Sequence, residues 1–273
     1  MERVIIDLIG EQAQADALMS GFSETDWDRQ AATCAWTFKD ELLHVAAFDW
    51  AAIELIAGRG SSVNEVADAN FGHDEIHRVT AHRHHPGAEV LDWWRGTRSR
   101  LAVALLDADP RARVPWAAGG APMSVRSLAT ARLMELWAHT VDLYDALGRE
   151  PVVADRIAHT LFLTWQARPH AYRINGLELP NTPLRLELTL PSGEVWARGQ
   201  DGAEDRIVGT ARDWALVGVR RRHWADTGLE VVGDEARRYA TVVQAFAGAA
   251  AAPPRTTPAG TSSAPRMSGL TSY

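Results

Sequence analysis

The order of apolar and polar residues divides the chain into two stretches of different periodicity. Up to Gly148, apolar residues recur every three or four positions; beyond it they alternate or come in short runs. Residues 2–19 bring Val4, Ile5, Leu8, Ile9, Ala15 and Leu18 to one side of a helix, and a loop is expected over 20–28. Residues 37–57 predict a second helix, with Thr37 and Asp40 as its capping box and Gly58 as its stop. A third is expected over 88–106, with Val90, Leu91, Trp94, Leu101 and Leu105 turned inward. A fourth runs over 124–147, with Ser124 as its cap. Residues 61–86 lack a clean apolar stripe and read as short helices and loop with mostly exposed histidines. Four long amphipathic helices are the material of a four-helix bundle.

After Gly148 the signals change. Residues 154–167 look helical, and Pro169, Gly176, Pro180 and Pro183 are expected to break the chain. LRLELTL, at 184–190, alternates strictly and predicts a strand; PSG and EVWARG complete a hairpin. DRIVGT predicts a third strand, ARDWALVGVRRRHW a helix, GLEVVG a further strand and DEARRYATVVQAFAG a closing helix. The fold class expected is therefore α+β: a bundle over 1–149, a smaller α+β domain over 150–248, and a disordered tail over 249–273, rich in Ala, Pro, Ser and Thr.

Composition narrows the function. Hydrophobic content of 46% and charged content of 23% suit a soluble globular protein, and a net charge of -7 argues against a general nucleic-acid binder. One cysteine, Cys34, excludes an intrachain disulfide and reads as packing. The N-terminus lacks a signal peptide's apolar core, and no segment has the length to span a membrane. The expectation is a cytoplasmic monomer or homodimer acting on a small molecule, without nucleic-acid or membrane partners. Eleven tryptophans suggest aromatic packing around a cavity or domain junction.

The chemistry centres on the fourth helix. Glu135 and His139 are one turn apart, on a stripe with Leu128, Ala131, Leu136 and Leu143, and Asp142 continues it. A face meant for burial thus carries ionisable groups, which are costly to bury unless paired or bound to a metal. A Glu and a His at this spacing form a two-ligand clip for a divalent cation, and also fit a plain salt-bridged pair. His44 points inward from the second helix, flanked by Leu43, Ala47 and Phe48. His44, Glu135 and His139 would make three ligands with positions left open, the catalytic pattern for zinc; iron, nickel or manganese suit the same donors. Asp142 is a candidate to orient a ligand or to pair with an arginine. His73 and His77, also four apart, are a lesser metal candidate.

These segments resemble the DinB-like metal-binding family, in the branch that includes mycothiol-dependent maleylpyruvate isomerase. WTFKDELLHVAAFD is similar to that branch's W-[ST]-x-x-[DE]-[LV]-x-x-H-[LV] segment, with His44 at the ligand position. RLMELWAHTVDLYDALG is similar to its E-x-x-x-H-x-x-D segment, with Glu135 and His139 at the other two. PWAAGGAPMSVRSLATARLMELWAH resembles a less characterised metal-binding subgroup more closely still. The C-terminal part resembles the family's sterol-carrier-like domain, down to Val231, Val232, Gly233 and Asp234. The resemblance implies isomerase or S-transferase chemistry with a metal-activated thiolate, mycothiol being the thiol. It also implies a functional arginine in the second domain, for which Arg220, Arg221 and Arg222 are the candidates. Two other readings stay open here. One is a thiol-independent, metal-assisted lyase, hydrolase or cyclase of specialised metabolism. The other is a non-catalytic metal- or ligand-binding module, whose site a fourth ligand such as His73 or His77 would close.

Overall fold

Four helices of 18 to 22 residues carry the first part of the chain. The computed structural model describes residues 1–32, 36–71, 81–117, 121–252, 254 and 256. These fall into two units, Met1–Arg149 and the residues from Glu150 onward. The first unit holds α1 (Glu2–Met19), α2 (Glu24–Trp27), α3 (Phe38–Ile56), α4 (Val63–Phe71), α5 (Gly87–Asp107) and α6 (Val125–Ala146). A short antiparallel ribbon, β1 (Arg113–Val114) with β2 (Met123–Ser124), precedes α6. α3 packs against α5 and α6, and α1 packs against the same two helices, so the four long helices close a ring.

Their caps follow the sequence. Thr37 Oγ1 accepts from Asp40 N–H while the Asp40 carboxylate accepts from Thr37 N–H, and Ser124 accepts from Ser127 N–H. The expected loop over 20–28 contains α2, whose start Ser23 and Asp26 cap reciprocally. Ile9, expected inward, is 45% exposed; Glu11 and Gln12 are buried on α1 instead. Two apolar clusters fill the bundle. One joins Ile5, Leu8, Leu55, Leu101, Leu105 and Leu133, the other Phe38, Leu42, Val45, Trp94, Leu136 and Leu143.

The second unit begins with a 3-10 turn (Asp155–Ile157) and α7 (Ala158–Ile174). α7 runs through Pro169, contrary to expectation, and stops only before Gly176, whose φ is 69°. Proline at that point removes one helical hydrogen bond without ending the helix. A four-stranded sheet follows in the order β4-β3-β5-β6: β3 (Leu184–Thr189), β4 (Val195–Gly199), β5 (Asp205–Thr210) and β6 (Glu230–Val232). β3 and β5 are parallel and the other pairs antiparallel. Leu184, Leu186 and Leu188 alternate inward along β3, as its pattern predicts. They share the core with Ile207, Trp214, Tyr172 and Tyr239, from β5, α8 (Ala211–Gly218), α7 and α9 (Asp234–Val242). Both closing helices are shorter than their sequence signals. The mixture of helical bundle and mixed sheet is the α+β class expected.

Candidate metal centre

α3 and α6 bring the titratable groups together. The Asp40 carboxylate caps α3 and also accepts from Arg83 Nη2 at 2.6 Å, which fixes the turn holding Glu41 and His44. α6 is buried nearly all round. Between Ser127 and Tyr144 the residues not fully buried are Ser127, Ala131, Glu135 and His139, spaced by four. Of the stripe expected to be buried, Leu128, Leu136, Asp142 and Leu143 are, while Ala131, Glu135 and His139 are partly open. The physical reason is that Leu133, Met134, Trp137 and Val141 already give α6 apolar contact on its other sides. Glu135 falls at the seam of the two apolar clusters, between Leu133 and Leu136.

One donor atom each from His44, Glu135 and His139 lies within 4.8 Å of the others. His139 Nε2 is 3.5 Å from Glu135 Oε2. Donors on a tetrahedral zinc, bonded at about 2.0–2.1 Å, stand about 3.4 Å apart. That pair is therefore already at ligand spacing, and two imidazoles with a carboxylate are a donor set that fits a divalent cation. The side chains of Glu135 and His139 are 25% and 13% exposed, so neither is sealed off from solvent.

His139 is engaged at its other nitrogen as well. Nδ1 lies 2.5 Å from Glu41 Oε2, whose side chain is buried. Asp142 is fully buried beside this pair, with a carboxylate oxygen within 4.8 Å of donor atoms of Glu41 and His139. Burial alone would raise the Glu135 carboxyl; His139 beside it, with Arg132 and His44 further off, outweighs that and brings it down to about 2. Burial would likewise lower His139, but Glu135 and Glu41 hold it up at about 9.

Two further features frame the site. Arg132, one turn before Glu135, donates from Nε to Asp49 at 2.8 Å and from Nη2 to the Val45 carbonyl at 3.2 Å. Both partners sit on α3 close to His44, so this buried pair locks the two donor-bearing helices together. Aromatic rings continue outward from the imidazoles. Trp36 lies 5.1 Å from the His44 ring and 6.1 Å from His139, Phe48 4.5 Å from His44, and Trp116 6.1 Å from Phe48. Sequence reading missed Glu41, Arg132 and Asp49. For Glu41 a signal existed: the segment pattern carries Leu or Val there, and this chain departs from it with a charge.

The three arginines belong to the second unit. The helix expected to reach residue 224 ends at Gly218, and the arginines follow it rather than close it. Arg220 takes a left-handed φ of 61°, with its N–H bonded to Val217 and that of Arg221 to Leu216. Their guanidinium groups bond carbonyls of the same unit: Arg220 that of Thr241, Arg221 that of Val219, Arg222 that of Arg221. His73, His77 and Cys34 lie outside the described residues, as does the tail from 257.

Residues 10–144 match the family model described as mycothiol maleylpyruvate isomerase N-terminal domain. Uncharacterized proteins from two strains of Mycobacterium tuberculosis are each 33% identical over 249 residues, covering 89% of this chain and 95% of theirs. The chain belongs to the mycothiol maleylpyruvate isomerase-like family. Family membership extends to the fold. Crystal structures of the mycothiol-dependent maleylpyruvate isomerase and of a mutant of it superpose with TM-scores of 0.55 and 0.56. They are 16% and 15% identical, over 81% of this chain and 89% of each of theirs, so the likeness is one of fold.

Proposed function

We propose that the chain is a metal-dependent enzyme of the isomerase or S-transferase type, acting in the cytoplasm on a small organic molecule with mycothiol as its thiol. The observation that carries this reading is the convergence within 4.8 Å of His44 from α3 with Glu135 and His139, two of the few partly open positions of α6. A divalent cation held there, zinc first among the candidates, would polarise a carbonyl or lower the pKa of a bound thiol. Glu135, as a carboxylate, would supply negative charge to the cation. Trp36, Phe48 and Trp116 offer flat apolar surface beside it, suited to an unsaturated guest. Family membership supports the choice of mycothiol, and the chain's one cysteine leaves the thiol to be supplied by a small molecule.

Calorimetric titration of zinc-loaded protein with mycothiol tests the thiol. Saturable heat at or below millimolar thiol is expected, and its absence overturns the thiol-dependent reading. His139→Ala tests the metal: zinc content after dialysis falls to a small fraction of wild type while the far-ultraviolet helix signal is kept. Wild-type zinc content in that variant would refute the ligand set.

A further inference from the structure

We infer that Glu41 is a positioning residue of this centre, holding the His139 ring so that Nε2 is the nitrogen turned toward Glu135 and His44. The inference rests on the reading of His44, Glu135 and His139 as metal ligands. An imidazole has two nitrogens, and a neutral ring that gives one lone pair to a metal carries its proton on the other. Which nitrogen does which is set by the hydrogen bond at the far side of the ring. Here Nε2 faces Glu135 at 3.5 Å, and Nδ1 faces Glu41 Oε2 at 2.5 Å. Nδ1–H therefore donates to Glu41 when Nε2 is a ligand. Glu41 is 2% exposed and stands one turn before His44 on α3, so a single helix carries one ligand and the brace for a ligand on α6. A buried carboxylate facing a ligand's second nitrogen also makes that ligand a stronger donor. Asp142 is buried close by, on the same helix as His139, and the 2.5 Å Nδ1 contact goes across the bundle to Glu41 on α3.

The test measures zinc affinity by competition with a chromophoric chelator in wild type, Glu41→Gln and Glu41→Leu. The ring nitrogens of His139 are read by nitrogen-15 NMR in the zinc-loaded proteins. Glu41→Leu is expected to weaken zinc binding about 10- to 100-fold. Glu41→Gln, which keeps the shape and can still accept from Nδ1–H, falls between it and wild type. A charge that merely stabilised the bundle would leave the NMR signature unchanged; the inference requires zinc on Nε2 and a proton on Nδ1 in wild type, and loss of that single form in Glu41→Leu. Glu41→Gln keeps the comparison intact should the leucine variant fold poorly. If wild type binds zinc, then equal affinity in Glu41→Gln, or zinc on Nδ1, overturns this inference alone. If wild type takes up no zinc, the ligand set falls, and the inference with it.

Discussion

His139 is gripped from both ends of its ring, and Arg132 from both ends of its guanidinium; the centre owes its shape to these two side chains. Arg132 is 1% exposed and its partner Asp49 3%. Replacing the arginine by leucine strands a carboxylate in the core, which typically costs about 3–5 kcal/mol. Urea unfolding of Arg132→Leu should show that loss, and Arg132→Leu with Asp49→Leu should recover most of it. A loss in the single variant below about 1 kcal/mol would contradict the assignment. The two pairs also explain what could be read in advance. Glu135 and His139 are four apart on one helix, and helical geometry alone aligns them. Glu41 with His139 and Asp49 with Arg132 are 98 and 83 residues apart, and no local spacing announces such a contact. Asp142 could be singled out from its spacing on α6, whereas Glu41, which meets the same ring from α3, could not.

Helix boundaries were legible where the backbone demanded a special residue. Gly58, Gly148 and Gly176 each follow a helix with φ of 74°, 66° and 69°, and each is the residue that tolerates this turn. α8 ends in the same hydrogen-bond pattern with Arg220 in the glycine's place, so its sequence gave no stop signal and the expected helix ran six residues too far. Pro169 misled in the opposite sense. Between helices, α1 is tied to α5 by Asp16, which accepts from Arg95 and Arg98. The Arg95 guanidinium, against the opposing effect of burial, holds the Asp16 carboxyl at about 2 rather than 3.8. A folded-state pKa below the unfolded one adds stability that is complete above the unfolded value and disappears as pH falls through the folded one. The tie should thus be worth about 1 kcal/mol near neutrality, after allowance for solvent screening, and fade between pH 3.8 and about 2. Unfolding curves of wild type and Asp16→Asn should differ at pH 6 and converge at the acid end; curves that stay equally apart would refute this.

For the molecule as a whole, periodicity was enough to separate a helical part from a part with strands, because the two patterns differ in period over many residues. It could not give the strand order β4-β3-β5-β6, in which β5 passes to the far side of the hairpin to lie parallel to β3. Leu186, Ile207 and Trp214, buried together in that core, come from three separate segments, and no one segment's pattern holds the order. No helix among the described residues is long and apolar enough to cross a membrane, in line with the sequence.

The Arg132–Asp49 lock has a consequence for how the cation would come and go. The frame around the site is fastened by groups other than the three proposed ligands, so emptying the site would leave the frame standing. Stripping the protein with a chelator should abolish metal content while amide exchange along α3 and α6 stays slow, and refilling should need no refolding. Such a centre behaves as a socket rather than a keystone.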